Sequence, residues 1–351
     1  MTGKPELPPF RVLYAGGTIG SYGTPLAPLT GADFQTRSLV AGMTVCSECT
    51  WIDPPLDSPE ATPADWVGLA EKVLQANAPT IVLHGTDTMA WSAAALAYLT
   101  TEIGADGAAC ARYSPPIVFT GSQLPLFRGD GLWPGSDAPE NLTLAAEAVQ
   151  MRTGGVWLAF GGRVMPGTRV TKVSTTDPLA FDTPNGPGAM PDLPTATTKR
   201  LLTQLAEIKP YLGRRAVAAI RPAPNRHDLT ARMISGVIDT MGDDLGAVHL
   251  LGYGLGNIPA QRYLKPVISA ARDRGVLIAI SSQIPHGLVD PSVYDTGYWL
   301  SEAGALATGD MQIPAVQAKL HMVLALAASR GWDASVCRRV FLTPLAAELT
   351  L

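Results

Sequence analysis

The sequence predicts an α/β protein with a larger N-terminal, mostly parallel sheet domain flanked by helices and a smaller C-terminal α/β domain. Three observations carry this reading. Short apolar runs alternate with helical stretches through the first half, as expected of a parallel sheet covered on both faces. A segment rich in Pro, Gly and Asp (177–194) interrupts that alternation. A second strand–helix series then begins near residue 216.

The elements follow in order. Val12–Tyr14 reads as a strand and Thr62–Ala76 as a helix, with Thr62 as N-cap and Pro63 at the first helical position. Ile81–Leu83 is the next strand, Met89–Leu99 an apolar helix, and Ile117–Phe119 a strand running into the turn TGSQLP. Asn141–Met151 reads as a helix and Gly155–Phe160 as a strand. After a helix at Thr198–Ile208, strands at Ala216–Ile220, Ala247–Leu251 and Val276–Ser281 alternate with helices at Asp228–Met241 and Pro259–Arg274. Pro314–Arg330 and Asp333–Phe341 are the last helices. The division expected is an N-terminal α/β domain over 1–190, a linker over 191–213 and a C-terminal α/β domain over 214–351. No internal repeat of 20–50 residues is present.

Composition narrows the function classes. The 351 residues are 46% hydrophobic and 16% charged, with a net charge of −4. No basic stripe points to nucleic acid or an anionic membrane. The N-terminus MTGKPELPPF has no apolar signal core, and no run of about 18 apolar residues is available to span a bilayer, so a cytoplasmic location is expected. Cys46 and Cys49 form a CxxC, but no second close Cys or His pair completes a zinc site. The pattern fits reduced thiols in a reducing compartment.

Two threonines stand where an apolar strand runs into glycine: Thr18 in YAGGTIG and Thr86 in HGTDTM. In open α/β sheets, ligands bind outside the carboxyl ends of strands. Thr18, Thr86 and Ser122 all follow strands and are therefore placed to line one cleft. A threonine hydroxyl needs a base, a lowered pKa or a metal to become nucleophilic. Asp87 directly follows Thr86, and Lys172 lies downstream in GTRVTK. Gly16 and Gly17 allow a tight turn whose free N–H groups suit an oxyanion hole. Ala15-x-Gly17-x-x-Gly20 also resembles a degenerate dinucleotide fingerprint. That motif requires an immediate helix and an acidic residue about 20 positions on. SYGTPLAPLTG reads instead as a loop, and Asp33 and Glu48 are badly placed. Taken singly, each residue has a plainer role: Thr86 or Thr88 as helix caps, His84 as a packed or hydrogen-bonded residue, Asp87 at a helix N-terminus, Lys172 at the surface. The tripeptide Arg128–Asp130 (RGD) is a chance loop sequence.

In combination, the motifs resemble the bacterial-type L-asparaginase (asparaginase/glutaminase) family. The matching pieces are Tyr14–Gly20, His84–Met89, Phe119–Gln123 with Leu124-Pro125, and Thr168–Lys172. Weaker matches occur at Asp57-Ser58, Thr62–Trp66, Tyr253–Pro259, Gly309–Met311 and Lys319-Leu320. The missing signal peptide is similar to the cytoplasmic, type I-like branch. The resemblance implies hydrolysis of L-asparagine to L-aspartate and ammonia, without metal or organic cofactor, in a homodimer or homotetramer. It implies Thr18 as nucleophile forming a β-aspartyl ester, and Thr86, Asp87 and Lys172 as a second catalytic group. Ser58 and Asp87 would hold the substrate's α-carboxylate and α-amine. Backbone groups near Gly17, Gly85 and Thr86 would take the oxyanion role, Ser122 would line the cleft, and Asn257 would approach a neighbouring subunit's site.

Departures from the family pattern are specific. The family's lid tyrosine position falls on Leu26, leaving Tyr22 as the nearby candidate. Pro59 replaces a polar residue, the 128–139 loop is longer than usual, and Gln312 and Pro314 replace a Thr and Glu pair. These departures keep three other readings open: a glutaminase or D-amino-acid amidase, a catalytically weak amino-acid-binding sensor, and the amidase subunit of a tRNA-dependent amidotransferase. The last is disfavoured by the lack of extra domains and basic surface.

Overall fold

The structure, a computed structural model, describes residues 10–43, 45, 49–258, 261–290, 293 and 295–350. A six-stranded sheet forms the larger body. Its strands are β1 (Arg11–Gly16), β2 (Cys49–Leu56), β3 (Thr80–Leu83), β4 (Ile117–Thr120), β5 (Val156–Phe160) and β6 (Arg163–Pro166). Their spatial order is β6-β5-β4-β3-β1-β2, parallel except for the antiparallel edge strand β6. Chain order reverses between the neighbours β1 and β3, so their following loops leave a crevice at that switch point.

Alternation along the strands builds two cores. Val12, Tyr14, Ile81 and Leu83 face helices α1 (Gly31–Val40) and α4 (Ala138–Met151). Leu13, Ala15, Val82 and Phe119 face α2 (Pro63–Ala76) and α3 (Met89–Leu99). Helix α2 starts at a capping box, in which Asp65 accepts from the Thr62 backbone N–H at 2.8 Å. Each such cap typically stabilises a helix by about 1 kcal/mol. Helix α5 (Thr198–Ile208) packs against α2 and adds Leu201 and Leu205 to the second core.

A four-stranded parallel sheet forms the second unit: β7 (Ala216–Ile220), β8 (Leu245–Gly252), β9 (Leu277–Ser282) and β10 (Leu306–Ala307). Helices α6 (Leu229–Met241), α7 (Gln261–Asp273) and α8 (Asp295–Glu302) accompany one face. The opposite face meets α9 (Ile313–Arg330). Helix α9 and the following α10 (Ala334–Leu342) share the core of α2 and α3. Tyr98 donates to the Ala315 carbonyl at 3.3 Å, and Trp91 to Gln317 at 2.7 Å. The chain therefore returns to the first unit after completing the second sheet.

The helical spans expected from the sequence agree with those found to within three residues, apart from Pro259 and Ala260, which lie outside the described residues. Strand β2, helix α1, edge strand β6, helix α8 and strand β10 are additional. The segment after Thr18 forms a short 3-10 turn (Thr18–Gly20) and a hairpin pairing Ser21–Tyr22 with Ala27–Pro28. That rules out the helix a dinucleotide fingerprint requires. Cys46 lies outside the described residues, and Cys49 is buried at the start of β2. Among the described residues, no helix is long and apolar enough to cross a membrane.

Two buried histidines, His84 and His249, and the half-buried His321 are kept neutral by desolvation. His249 and His321 are each pushed down to about 4, and His84 is also lowered, its bond to the Gly85 carbonyl opposing the burial. The unfolded chain takes up these protons near pH 6.5, whereas the native protein resists them. Stability should therefore be full above about pH 6.5 and fall by up to about 1.4 kcal/mol per pH unit for each histidine below it. Urea unfolding at pH 7 and pH 5 checks this; equal unfolding free energies would contradict it.

Candidate active site

Loops after β1, β2 and β3 converge at the switch point. Gly17 has φ +87°, and a Cβ there would fall on the backbone N and Cα of Gly85. A Cβ on Gly85 would in turn fall on the side chain of Ser58. The two glycines thus let three loops touch, one bearing Thr18, one Ser58 and one Thr86.

Thr18 is half-buried at the start of the 3-10 turn, directly after the left-handed Gly17. Ser58 is 3% exposed and Thr86 6%. Lys172 reaches this group from a two-residue strand, Thr171–Lys172, paired with Phe181–Asp182. Its Nζ donates to Thr86 Oγ1 at 2.9 Å and to Asp87 Oδ1 at 2.7 Å. The lysine side chain is 16% exposed and the aspartate 60%, so the pair opens outward at the carboxylate. A hydroxyl, an amine and a carboxylate in one chain are the parts of a proton relay.

The plainer helix-cap role is absent here. Neither Thr86 nor Thr88 caps α3 with its side chain; Thr88 Oγ1 instead donates to the Ser58 carbonyl at 2.8 Å. His84 is fully buried, with Nδ1 2.8 Å from the Gly85 carbonyl and Nε2 3.0 Å from Ser92 Oγ. As Nδ1 must then be the donor, His84 anchors the 84–88 loop and its neutral ring is already committed.

Ser122 is buried after β4, its hydroxyl donating to the Leu124 carbonyl at 2.5 Å. Two residues not singled out in the sequence hold this loop. Asp137 accepts from the Gln123 N–H at 2.9 Å and the Leu124 N–H at 3.0 Å. Asn141 donates to the Gly121 carbonyl and accepts from the Gly161 N–H, joining the ends of β4 and β5. An Asp before Ala-Pro reads locally as a helix cap, which hides the backward reach of its carboxylate.

Tyr22 lies on the 21–28 hairpin with its ring 4.0 Å from the Arg37 guanidinium carbon. It lines a cavity of about 410 Å³ with Leu26, Phe127, Arg128 and Trp133. Among the described residues, no hydrogen bond joins Tyr22 to Thr18. Asn257 lies in the turn after β8 of the second sheet, and its Oδ1 is buried without a hydrogen-bond partner. Among the described residues, no cluster of three or more His, Cys, Asp or Glu side chains is placed to hold a metal ion.

The glycine contacts generate a stability test. Gly17→Ala should destabilise the fold by about 1–3 kcal/mol through strain and overlap with Gly85. Gly68→Ala, in the interior of α2 with open space around the new methyl, should instead stabilise by about 0.5–1 kcal/mol. Chemical denaturation of both variants checks the pair; a neutral Gly17→Ala would contradict the contact.

Comparison with known proteins identifies the family and the fold. Residues 10–192 match the family model "Asparaginase, N-terminal", and residues 228–341 match "Glutaminase/Asparaginase C-terminal domain". The chain is 31% identical to L-asparaginase 1 of Escherichia coli K12 over 308 residues, covering 85% of this chain and 83% of that protein. It is also 31% identical to a glutamyl-tRNA(Gln) amidotransferase subunit of Aeropyrum pernix, covering 84% of this chain and 67% of that one. The solved thermostable L-asparaginase from Thermococcus kodakarensis superposes with a TM-score of 0.75 at 27% identity, over 97% of this chain and 99% of the other. With both of its halves matched and its site at the strand ends, this chain belongs to the asparaginase family of amidohydrolases.

Proposed function

We propose that the protein hydrolyses L-asparagine to L-aspartate and ammonia through a threonine nucleophile. The observation that carries this reading is the Thr86–Lys172–Asp87 chain beside the loop of Thr18. The Thr18 hydroxyl adds to the side-chain amide carbon, and its proton leaves through a neighbouring base. Backbone N–H groups near Gly17 and Thr86 receive the developing oxyanion, a role worth about 10²–10³ in rate for one donor. The amide nitrogen gains a proton and departs as ammonia, leaving a β-aspartyl ester on Thr18. Water then cleaves the ester, returning the proton to Thr18 and releasing aspartate. Lys172, held between Thr86 and Asp87, relays protons for one or both steps.

Ser58 and Asp87 hold the α-carboxylate and α-amine in this reading, and Ser122 lines the cleft. Tyr22 on the 21–28 hairpin is the lid residue. In this reading Asn257, whose Oδ1 is buried without a hydrogen-bond partner, lies on the side that approaches a neighbouring copy in a homodimer or homotetramer. The reading requires neither metal nor organic cofactor, and the expected location is the cytoplasm.

The similarity to a glutamyl-tRNA(Gln) amidotransferase component supports a second reading, in which the released ammonia serves a partner acting on glutamyl-tRNA. Ammonia release from free asparagine, glutamine and the D-amino-acid amides separates the substrates. Robust turnover of free asparagine, abolished in Thr18→Ala, is the expected result. Lys172→Met should reduce kcat by about 10²–10⁴ with the fold intact. Near-normal activity in that variant would remove the second group from catalysis. Calorimetric binding of aspartate without turnover at any pH would make the protein a sensor instead.

A further inference from the structure

The catalytic lysine stands at the end of a weak local structure. The ribbon holding Lys172 has only two residues on each side, too few to fix a flexible side chain by itself. Just upstream, however, lies a dense buried polar network. Thr168 Oγ1 donates to the Ala346 carbonyl at 2.5 Å. Arg169 has no exposed side-chain surface, and its guanidinium donates to Gly186 O at 3.0 Å, Glu348 O at 2.9 Å, Asn185 O at 2.5 Å and Asp310 Oδ2 at 2.8 Å. Asp310 also accepts from the Thr350 N–H and hydroxyl.

A second buried charge pair shapes the partner segment. Lys319 and Glu348 are both fully buried and 2.5 Å apart. Glu348 also accepts from the Leu345 and Ala346 N–H groups, and Lys319 donates to the Thr343 carbonyl at 2.6 Å. These bonds curl residues 343–348 into the turn that presents Ala346 O and Glu348 O to Thr168 and Arg169. None of these side chains belongs to the reaction described above.

We propose that the 343–350 segment and Arg169 form a buried polar lock that positions Lys172 against Thr86 and Asp87. This rests on the reading of Lys172 as the proton relay. A buried ion pair is a poor device for stability alone, because apolar residues of similar volume often do as well or better. A fully satisfied network does hold one geometry. Here that geometry belongs to the turn three and four residues before Lys172, which leads directly into its two-residue strand. A catalytic group misplaced by about 1 Å can cost 10²-fold in rate. Thr168, Arg169, Lys319 and Glu348 are therefore positioning residues.

Thr168→Val keeps the side chain's shape and removes its bond to Ala346. Its crystal structure should show Lys172 Nζ displaced from at least one of Thr86 Oγ1 and Asp87 Oδ1. Asparaginase assays should show kcat reduced about 10- to 100-fold with KM within about twofold, and Thr168→Ser should restore kcat. If Thr168→Val does not fold, the paired Lys319→Met/Glu348→Gln variant carries the same readings. A crystal structure with Nζ in place, whatever the change in Tm, overturns the lock, as does an unchanged kcat when Lys172→Met is inactive. A displaced Nζ together with an active Lys172→Met would uphold the lock and overturn the assigned role of Lys172.

Discussion

The contact between Gly17 and Gly85 is the constraint on which the site depends. Adjacent parallel strands end side by side at the switch point, and their outgoing loops must pass within backbone contact. A side chain at either position would push the loops apart. With both absent, Thr18, Ser58 and Thr86 come from three different crossovers yet share one crevice. Lys172 enters from beyond the opposite edge of the sheet and closes the group on Thr86 and Asp87. The chemistry is thus assembled from four separate stretches, each short and none organised without the sheet beneath it.

Buried polar groups divide into those facing the crevice and those supporting it. His84 spends both ring nitrogens on Gly85 and Ser92, Asp137 and Asn141 tie down the Ser122 loop, and Arg169 with Glu348 braces the approach to Lys172. Each supporting group is satisfied by backbone, by a hydroxyl or by an opposite charge, as burial demands. The return of α9 and α10 to the first core links the second sheet to this same scaffold. Lys319, on α9, is the point where helix packing and the polar lock meet.

The helices and central strands were legible because periodicity, caps and glycine-bounded apolar runs are local signals. Met89–Leu99 shows the limit of that information: its apolar character reads plainly, but its partners, α9 and the sheet, do not. Strand β2 escaped because Pro54 and Pro55 argue against a strand, and the sheet accommodates them by placing β2 at an edge. For the site, the residue types and the family resemblance brought Thr18, Thr86, Asp87 and Lys172 together. No spacing rule could have placed Lys172 within 2.9 Å of a threonine 86 positions earlier. Asp137, Arg169 and Glu348 were silent for the same reason, since their partners, backbone atoms and the side chains of Asp310 and Lys319, are brought near only by folding. The resemblance points to Ser58 as a residue that would hold the substrate, and in the structure a Cβ on Gly85 would fall on its side chain.

Thr18 makes the attack in the proposed reaction, while Thr86, Lys172 and Asp87 carry the proton traffic. That division of labour can be read out with an electrophilic diazoketone analogue of asparagine, followed by peptide mass spectrometry. A single covalent adduct should form on Thr18, lost in Thr18→Ala and greatly slowed in Lys172→Met. An adduct on Thr86, with Thr18 unmodified, would contradict it.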